Sequence, residues 1–258
     1  MKKVIALTLL CVFGLVPFVA ASDTADQKEL GISFDLTYMS RWMSKGAPAY
    51  GKQSAWFETI DVDWFGTGFG FQVTHRSAGA SGYVDKQRFD YRPYYKFKAF
   101  EGERYQINGN ISAGYEHYYG IELERWTTWE WIFAFSFPNA IGHGFTPKYI
   151  MHFESPADHD YNNSGCAGYV HRFGLDYDFK LEELPDLPLK FSSEVGFYDG
   201  LGNKPHDWGY AAFGLSSAIK LSDNVKVVPG VYHQITMDEA VCDEKDLTYA
   251  KVSLKIDF

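Results

Sequence analysis

Cysteine is scarce in this chain: three residues in 258. That excludes a disulfide-dense scaffold held together by its bridges. Long apolar runs are also missing after the first two dozen residues, so no segment there matches the ~20 apolar residues of a spanning helix. Basic residues are in the minority, with 24 Lys and Arg against 33 Asp and Glu and a formal net charge of −9. Such a balance gives no electrostatic case for nucleic acid as a partner. No segment has helical period, and no low-complexity run or compositional break marks a domain boundary.

The N-terminus holds an address signal. Met1-Lys2-Lys3 is basic, Val4 to Val19 is apolar, and Val19-Ala20-Ala21 offers a small-residue cleavage site before Ser22-Asp23. The expectation is a secretory signal peptide over residues 1–21, followed by one domain over residues 22–258. Leu10 before Cys11 is too large for a lipidation site, which leaves Cys166 and Cys242 in the exported part. An exported compartment permits a disulfide between them. Two unpaired thiols are the alternative.

Aromatic residues are abundant: 21 Phe, 18 Tyr and 7 Trp, 18% of the chain. They fall on a period of two. In the last stretch Thr248, Ala250, Val252, Leu254, Ile256 and Phe258 share one parity, and Tyr249, Lys251, Ser253, Lys255 and Asp257 the other. This is a strand between an apolar and a wet medium. Trp129, Trp131, Phe133, Phe135 and Phe137 form an aromatic row that would be an aggregation hazard in water but suits lipid.

Reading the same alternation along the chain gives about twelve strands, each near the ~9–11 residues that cross a bilayer when tilted. The predicted fold class is all-β, an antiparallel transmembrane barrel. Connections alternate between longer ones (40–53, 79–86, 116–126, 155–166, 199–206, 235–245) and tight ones such as Gly66-Thr67-Gly68 and Ser222-Asp223-Asn224. Leu181 to Pro188 reads as another turn. Pro93 and Pro229 fall inside predicted strands and are expected to mark bulges, whereas Pro147 lies near a turn. A soluble β-sandwich is the competing architecture.

The polar parity carries Asp35, Asp61, Asp63, Arg76, Arg88, Asp90, Arg92, Lys96, Glu130, Arg172, Asp176 and Glu194, with Lys148, Glu154, Asp178 and Lys190. Buried charges must be paired or hydrated. A water-filled lumen meets both conditions, with Arg88 and Arg92 a basic rung, Asp61 and Asp63 an acidic one, and the set a selectivity lining. The structural alternative is a ladder of ion pairs filling a barrel too narrow to conduct. His152, His159, Ser164 and His171 are candidates for Ser–His chemistry, but none lies in the sequence context of the barrel phospholipases. Asp158, His159 and Asp160 could hold a metal, and Asp238, Glu239, Asp243 and Glu244 calcium; solvated acidic loops account for both groups equally well. No cofactor and no metal is expected, and no catalytic residue is assigned.

The alternation, aromatic rows, leader and terminal Phe258 together resemble Gram-negative outer-membrane β-barrels across the exported chain. Within that class Asp35-Leu36-Thr37-Tyr38-Met39-Ser40-Arg41 resembles the first strand of the TorF putative porins. Trp42 stands where that family has glycine, and Lys45-Gly46 is a shifted match. Nucleoside-specific channels are similar in strand number. The resemblance implies an outer-membrane location, lipid as surroundings, and recognition of the last strand, with Phe258 as signal, by the barrel-assembly machinery. It also implies passive diffusion of small hydrophilic solutes through a narrow charged lumen. A non-conducting barrel or, further off, a lipid-modifying barrel enzyme are the alternatives. Solute and oligomeric state are not indicated.

Overall fold

The computed structural model describes residues 29–79, 87–119, 127–157, 167–242 and 245–258. Twelve strands form the wall: β1 (Gly31–Met39), β2 (Ala55–Asp63), β3 (Phe69–Ala78), β4 (Gln87–Ala99), β5 (Ile107–Tyr119), β6 (Thr128–Ser136), β7 (Phe145–Pro156), β8 (Gly168–Leu181), β9 (Leu184–Asp199), β10 (Asp207–Ser217), β11 (Val225–Thr236) and β12 (Leu247–Asp257). Each pairs antiparallel with its sequence neighbours, and a short Ile219–Lys220 segment prolongs the β10 side against β11. The wall closes where β1 pairs with β12, from Ser33↔Asp257 to Met39↔Lys251. Closure leaves no edge strand and satisfies the backbone without water, which a wall standing in lipid requires.

The two faces sort by parity. Leu36, Ile60, Trp129, Trp131, Phe173, Phe213, Val231 and Val252 point outward, and most of them are exposed. In a water-soluble protein so continuous an apolar belt would drive association; here it is the lipid-facing surface of a transmembrane barrel. The opposite parity is concave. Side chains there reach past the adjacent strand: Tyr94 on β4 donates to Asp61 on β2 at 2.7 Å, and Arg92 on β4 to Glu130 on β6 at 2.5 Å. Only the inside of a closed curve brings such groups together.

Three sequence expectations need correction. Neither Pro93 nor Pro229 makes a bulge. Phe71↔Pro93 and Pro229↔Val252 lie in unbroken register. Between Tyr91↔Tyr115 and Tyr94↔Ser112 the β4–β5 ladder skips Arg92 and Pro93 without a shift, because proline has no N–H to give on that side. A bulge does fall at Gly196/Phe197, against β10. Leu181 to Pro188 is not all turn, since β9 starts at Leu184. Glu116 to Tyr119, read as loop, extend β5.

All the longer connections lie at one end of the barrel, termed here the loop end. The first of them, between Met39 and Ala55, does not stand out into solvent. It turns inward through a two-rung hairpin, Met43–Ser44 against Ala47–Pro48. Trp42 and Tyr50 are buried with Met39, Ala55 and Phe57. A second inward segment, the loop after β11, buries Val241 and Cys242 against Val170, Tyr198, Leu201 and Tyr210.

Candidate functional site: the barrel interior

A continuous polar network runs around the inner wall from β3 to β10. Arg76 meets Asp90 at 2.6 Å, and Arg88 bridges Asp90 and Glu116, each at 2.6 Å. Arg92 bonds Glu130 at 2.5 Å and lies 3.5 Å from Glu116. Glu130 also meets His152 Nδ1 at 2.9 Å, and Arg172 Nη1 lies 3.1 Å from His152 Nε2. Since guanidinium can only donate, Nε2 accepts, and the ring proton sits on Nδ1 facing Glu130. Arg172 then grips Glu194 with two bonds, 2.9 and 2.7 Å, and Tyr210 donates to Glu194 at 2.7 Å. Arg88, Asp90, Glu116 and Glu130 are at most 4% exposed. Charges this deep persist only when fully paired, and here cation and carboxylate alternate along the wall.

The inward loop completes the network. Lys45 Nζ lies 2.8 Å from Glu130 and also pairs with Glu154 of β7. Burial alone would lower the affinity of this ammonium for its proton; the carboxylates of Glu130, Glu154 and Glu116 reverse that and hold it charged. Tyr198 of β9 donates to the Lys45 carbonyl, Gln234 of β11 to the Gly46 carbonyl at 2.7 Å, and Tyr50 to the Arg76 carbonyl at 3.2 Å. The guanidiniums of Arg76 and Arg88 stack over Trp42 at 4.9 and 5.1 Å. Gly46, at φ +84°, lies against the Tyr210 ring, where a Cβ would come within 2.1 Å. The loop thus touches β3, β4, β6, β7, β9, β10 and β11, and crosses the interior.

Toward the opposite end, the turn end, pairing is looser and wetter. Lys148 meets Asp176 at 2.6 Å, Lys190 lies 3.4 Å from Asp178, and Lys255 3.0 Å from Asp35. Lys96, 49% exposed, approaches Asp61 at 3.8 Å. A cavity of about 650 Å³ opens here beside Lys96, Lys98, Asn108, Asn110 and Lys148. Another of about 370 Å³ lies at the loop end, lined by Trp42, Lys45, Tyr50, Arg88, Glu116 and Tyr118 among others. The two share no lining residue. Arg92, between Arg88 and Lys96 on β4, belongs to the ion network that separates them.

All twelve interior positions singled out from the sequence lie on the concave parity, but not as independent rungs. Arg88 and Arg92 are not a bare basic rung, because Asp90, Glu116 and Glu130 neutralise them. Asp61 and Asp63 divide: Asp61 binds Tyr94, while Asp63 accepts the Gly66 N–H at 2.6 Å and shapes the turn. The sequence reading missed Lys45, Glu116, Tyr198, Tyr210 and Gln234. Continued alternation through Gly114, Glu116 and Tyr118 could have found Glu116. Nothing in a period-two pattern could have found Lys45, which reaches the wall from a loop.

The other candidates separate. His152 is tied into the ion network, whereas His171 faces outward with Tyr149 Oη 2.8 Å from its Nδ1. His159, Ser164, Asp158, Asp160, Asp243 and Glu244 lie outside the described residues. Asp238 serves its own loop, its side chain accepting the Ala240 N–H at 2.7 Å. Among the described residues no cluster of His, Cys, Asp and Glu could hold a metal ion. Cys242 is buried, and Cys166 lies outside the described residues, as does the segment read as a leader.

No family model matches the chain, and no curated protein matches it. Solved structures do. A KdgM porin superimposes with TM-score 0.53 over 88% of this chain and 99% of its own, at 12% identity. A KdgM porin in complex with disordered oligogalacturonate gives TM-score 0.53, 88% and 99% coverage, and 13% identity. At this identity the likeness speaks to fold alone, and the fold shared with these porins is a closed antiparallel β-barrel.

Proposed function

We propose that this protein is an outer-membrane channel for passive diffusion of small hydrophilic solutes, narrowed and charged where its first long loop crosses the interior. The observation carrying this reading is the seat of Lys45. A loop residue enters the barrel to complete a belt of opposed charges, and open space remains on both sides of the belt. Opposed acidic and basic walls act on a passing solute through its charge and dipole. The twelve interior residues read from the sequence are the selectivity lining in this account, with Lys45, Glu116 and Glu154 added. The loop end faces outward, and the β12 strand with Phe258 is the segment read during assembly. The TorF likeness of the first strand remains a likeness of residues 35–41. The KdgM ligand does not transfer, since the buried cations of the belt are matched by carboxylates, so among the described residues the belt offers no unopposed basic surface to a polyanion.

Efflux of uncharged and charged small solutes from liposomes containing the refolded barrel tests the proposal. Small neutral solutes escape and larger ones do not, and Arg92→Ala shifts the channel toward cations by leaving Glu130 in excess. Solute retention by liposomes with demonstrably inserted protein would overturn it. One observation favours the non-conducting alternative: the belt is nearly self-neutral and buried, as in barrels filled by ion pairs. The same assay decides between the two.

A further inference from the structure

The outward face is almost free of charge, and its exceptions are not scattered. Tyrosines aside, the only ionisable groups on the lipid parity of the described strands are Glu58, His75, His117, His171, Asp199 and His233. All lie close to the loop end of their strands. His75 precedes the end of β3 at Ala78, His117 that of β5 at Tyr119, and His233 that of β11 at Thr236, while His171 follows the start of β8 at Gly168. The turn-end half of the same face carries none. At ~3.3 Å per residue and a tilt of ~40°, His117, His171 and His233 stand roughly 20–25 Å up the wall from the turn end of their strands, near the far edge of an apolar band ~25 Å tall, and Glu58 and His75 stand lower.

Their surroundings are aromatic. His75 stacks on Phe89 at 4.6 Å, and Phe89 pairs across strands with His117. His171 lies between Tyr149, Tyr169 and Phe197. Carboxylates face two of the four: Glu58 Oε2 is 2.7 Å from His75 Nδ1, and Asp199 lies 3.9 Å from His171 and 2.5 Å from His206. His117 and His233 face no carboxylate among the described residues; Tyr115 and Tyr119 flank the first and Thr248 bonds the second at 2.9 Å.

We propose that this histidine rim binds the phosphates of anionic lipids when its imidazoles are protonated, with His117 and His233 contributing most. A cation at His75 or His171 meets Glu58 or Asp199, whereas a cation at His117 or His233 meets no carboxylate among the described residues and faces the lipid. Charge complementarity selects the occupant: the neighbouring medium at this depth supplies anionic headgroups, and imidazole is the side chain whose charge changes across mildly acidic pH. Acidification therefore tightens the lipid annulus at the loop end and leaves the turn end unaffected.

The test is quenching of tryptophan fluorescence in the refolded full chain, in which Trp129 and Trp131 face lipid, by brominated phosphatidylglycerol against brominated phosphatidylcholine. The expected result is a severalfold preference for phosphatidylglycerol at pH 5.5 that largely disappears at pH 8. The double variant His117→Gln/His233→Gln, shown to be folded by its circular dichroism, loses the pH-dependent part. Absence of a pH-dependent preference in the parent, or its persistence unchanged in the folded variant, would overturn the proposal.

Discussion

Lys45 is held by opposed demands. Its side chain is 11% exposed and faces Glu130, which is buried, and Glu154, which is half-buried. Removing one member of a buried ion pair leaves the others uncompensated, at a cost of ~3–5 kcal/mol. Lys45→Met is therefore expected to lower the stability of the loop end by about that amount, read as earlier proteolysis within residues 40–54 and a lower denaturation midpoint. Arginine at the same position is not a conservative change, because its broad fork has no room beside a Glu130 carboxylate already bonded to Arg92 and His152. Gly46 makes a separate demand. Its left-handed φ and its contact with the Tyr210 ring leave no place for a Cβ. Gly46→Val should unseat the loop without removing any charged residue, so it should raise conductance and, by drawing Lys45 away from Glu130 and Glu154, shift ion preference toward cations. Unchanged conductance in a folded Gly46→Val barrel would show that the loop does not restrict the path.

At the scale of elements, the first loop and the last strand behave differently. The strand is legible from its own residues: the alternation from Thr248 to Phe258 assigns each side chain to lipid or interior, and the register with β1 and β11 keeps that assignment. The loop is not legible that way. Trp42, Lys45 and Tyr50 look like an ordinary polar connection until the curved wall brings Arg76, Glu130, Glu154, Tyr198 and Gln234 within reach. Contacts between positions as far apart as Gly46 and Gln234 leave no local pattern. Phe258 illustrates the converse. It is 75% exposed, and its N–H bonds the Ile32 carbonyl at 2.9 Å. Its ring thus adds little packing. Phe258→Ala is predicted to leave the refolded barrel's spectrum and melting unchanged while reducing the amount assembled in outer membranes; a matching loss of stability in vitro would assign Phe258 a structural role instead.

For the whole molecule, the decisive property is two surfaces of opposite character on one sheet. Period two revealed both, and the twelve interior candidates share the concave parity. It could not reveal how their charges would be shared, because Arg88, Asp90 and Glu116 come together across strands and Arg92 reaches two strands away to Glu130. Proline misled for a related reason. Pro93 and Pro229 were expected to break the register, yet a ladder can lose one bond and keep its alignment when the residues on either side stay paired. The outward belt predicts that Trp129 and Trp131 are quenched by lipids brominated within the acyl chain and protected from aqueous iodide. The reverse pattern would place this face in water.

The measurement closest to the central claim is single-channel current through the refolded barrel in a planar bilayer, parent and Lys45→Gln side by side. Discrete, reproducible steps are expected for the parent and larger steps for the variant, in which the loop loses its hold on Glu130 and Glu154. Silence from both proteins, with insertion verified, would mean that the charged belt closes the barrel rather than lining a path through it.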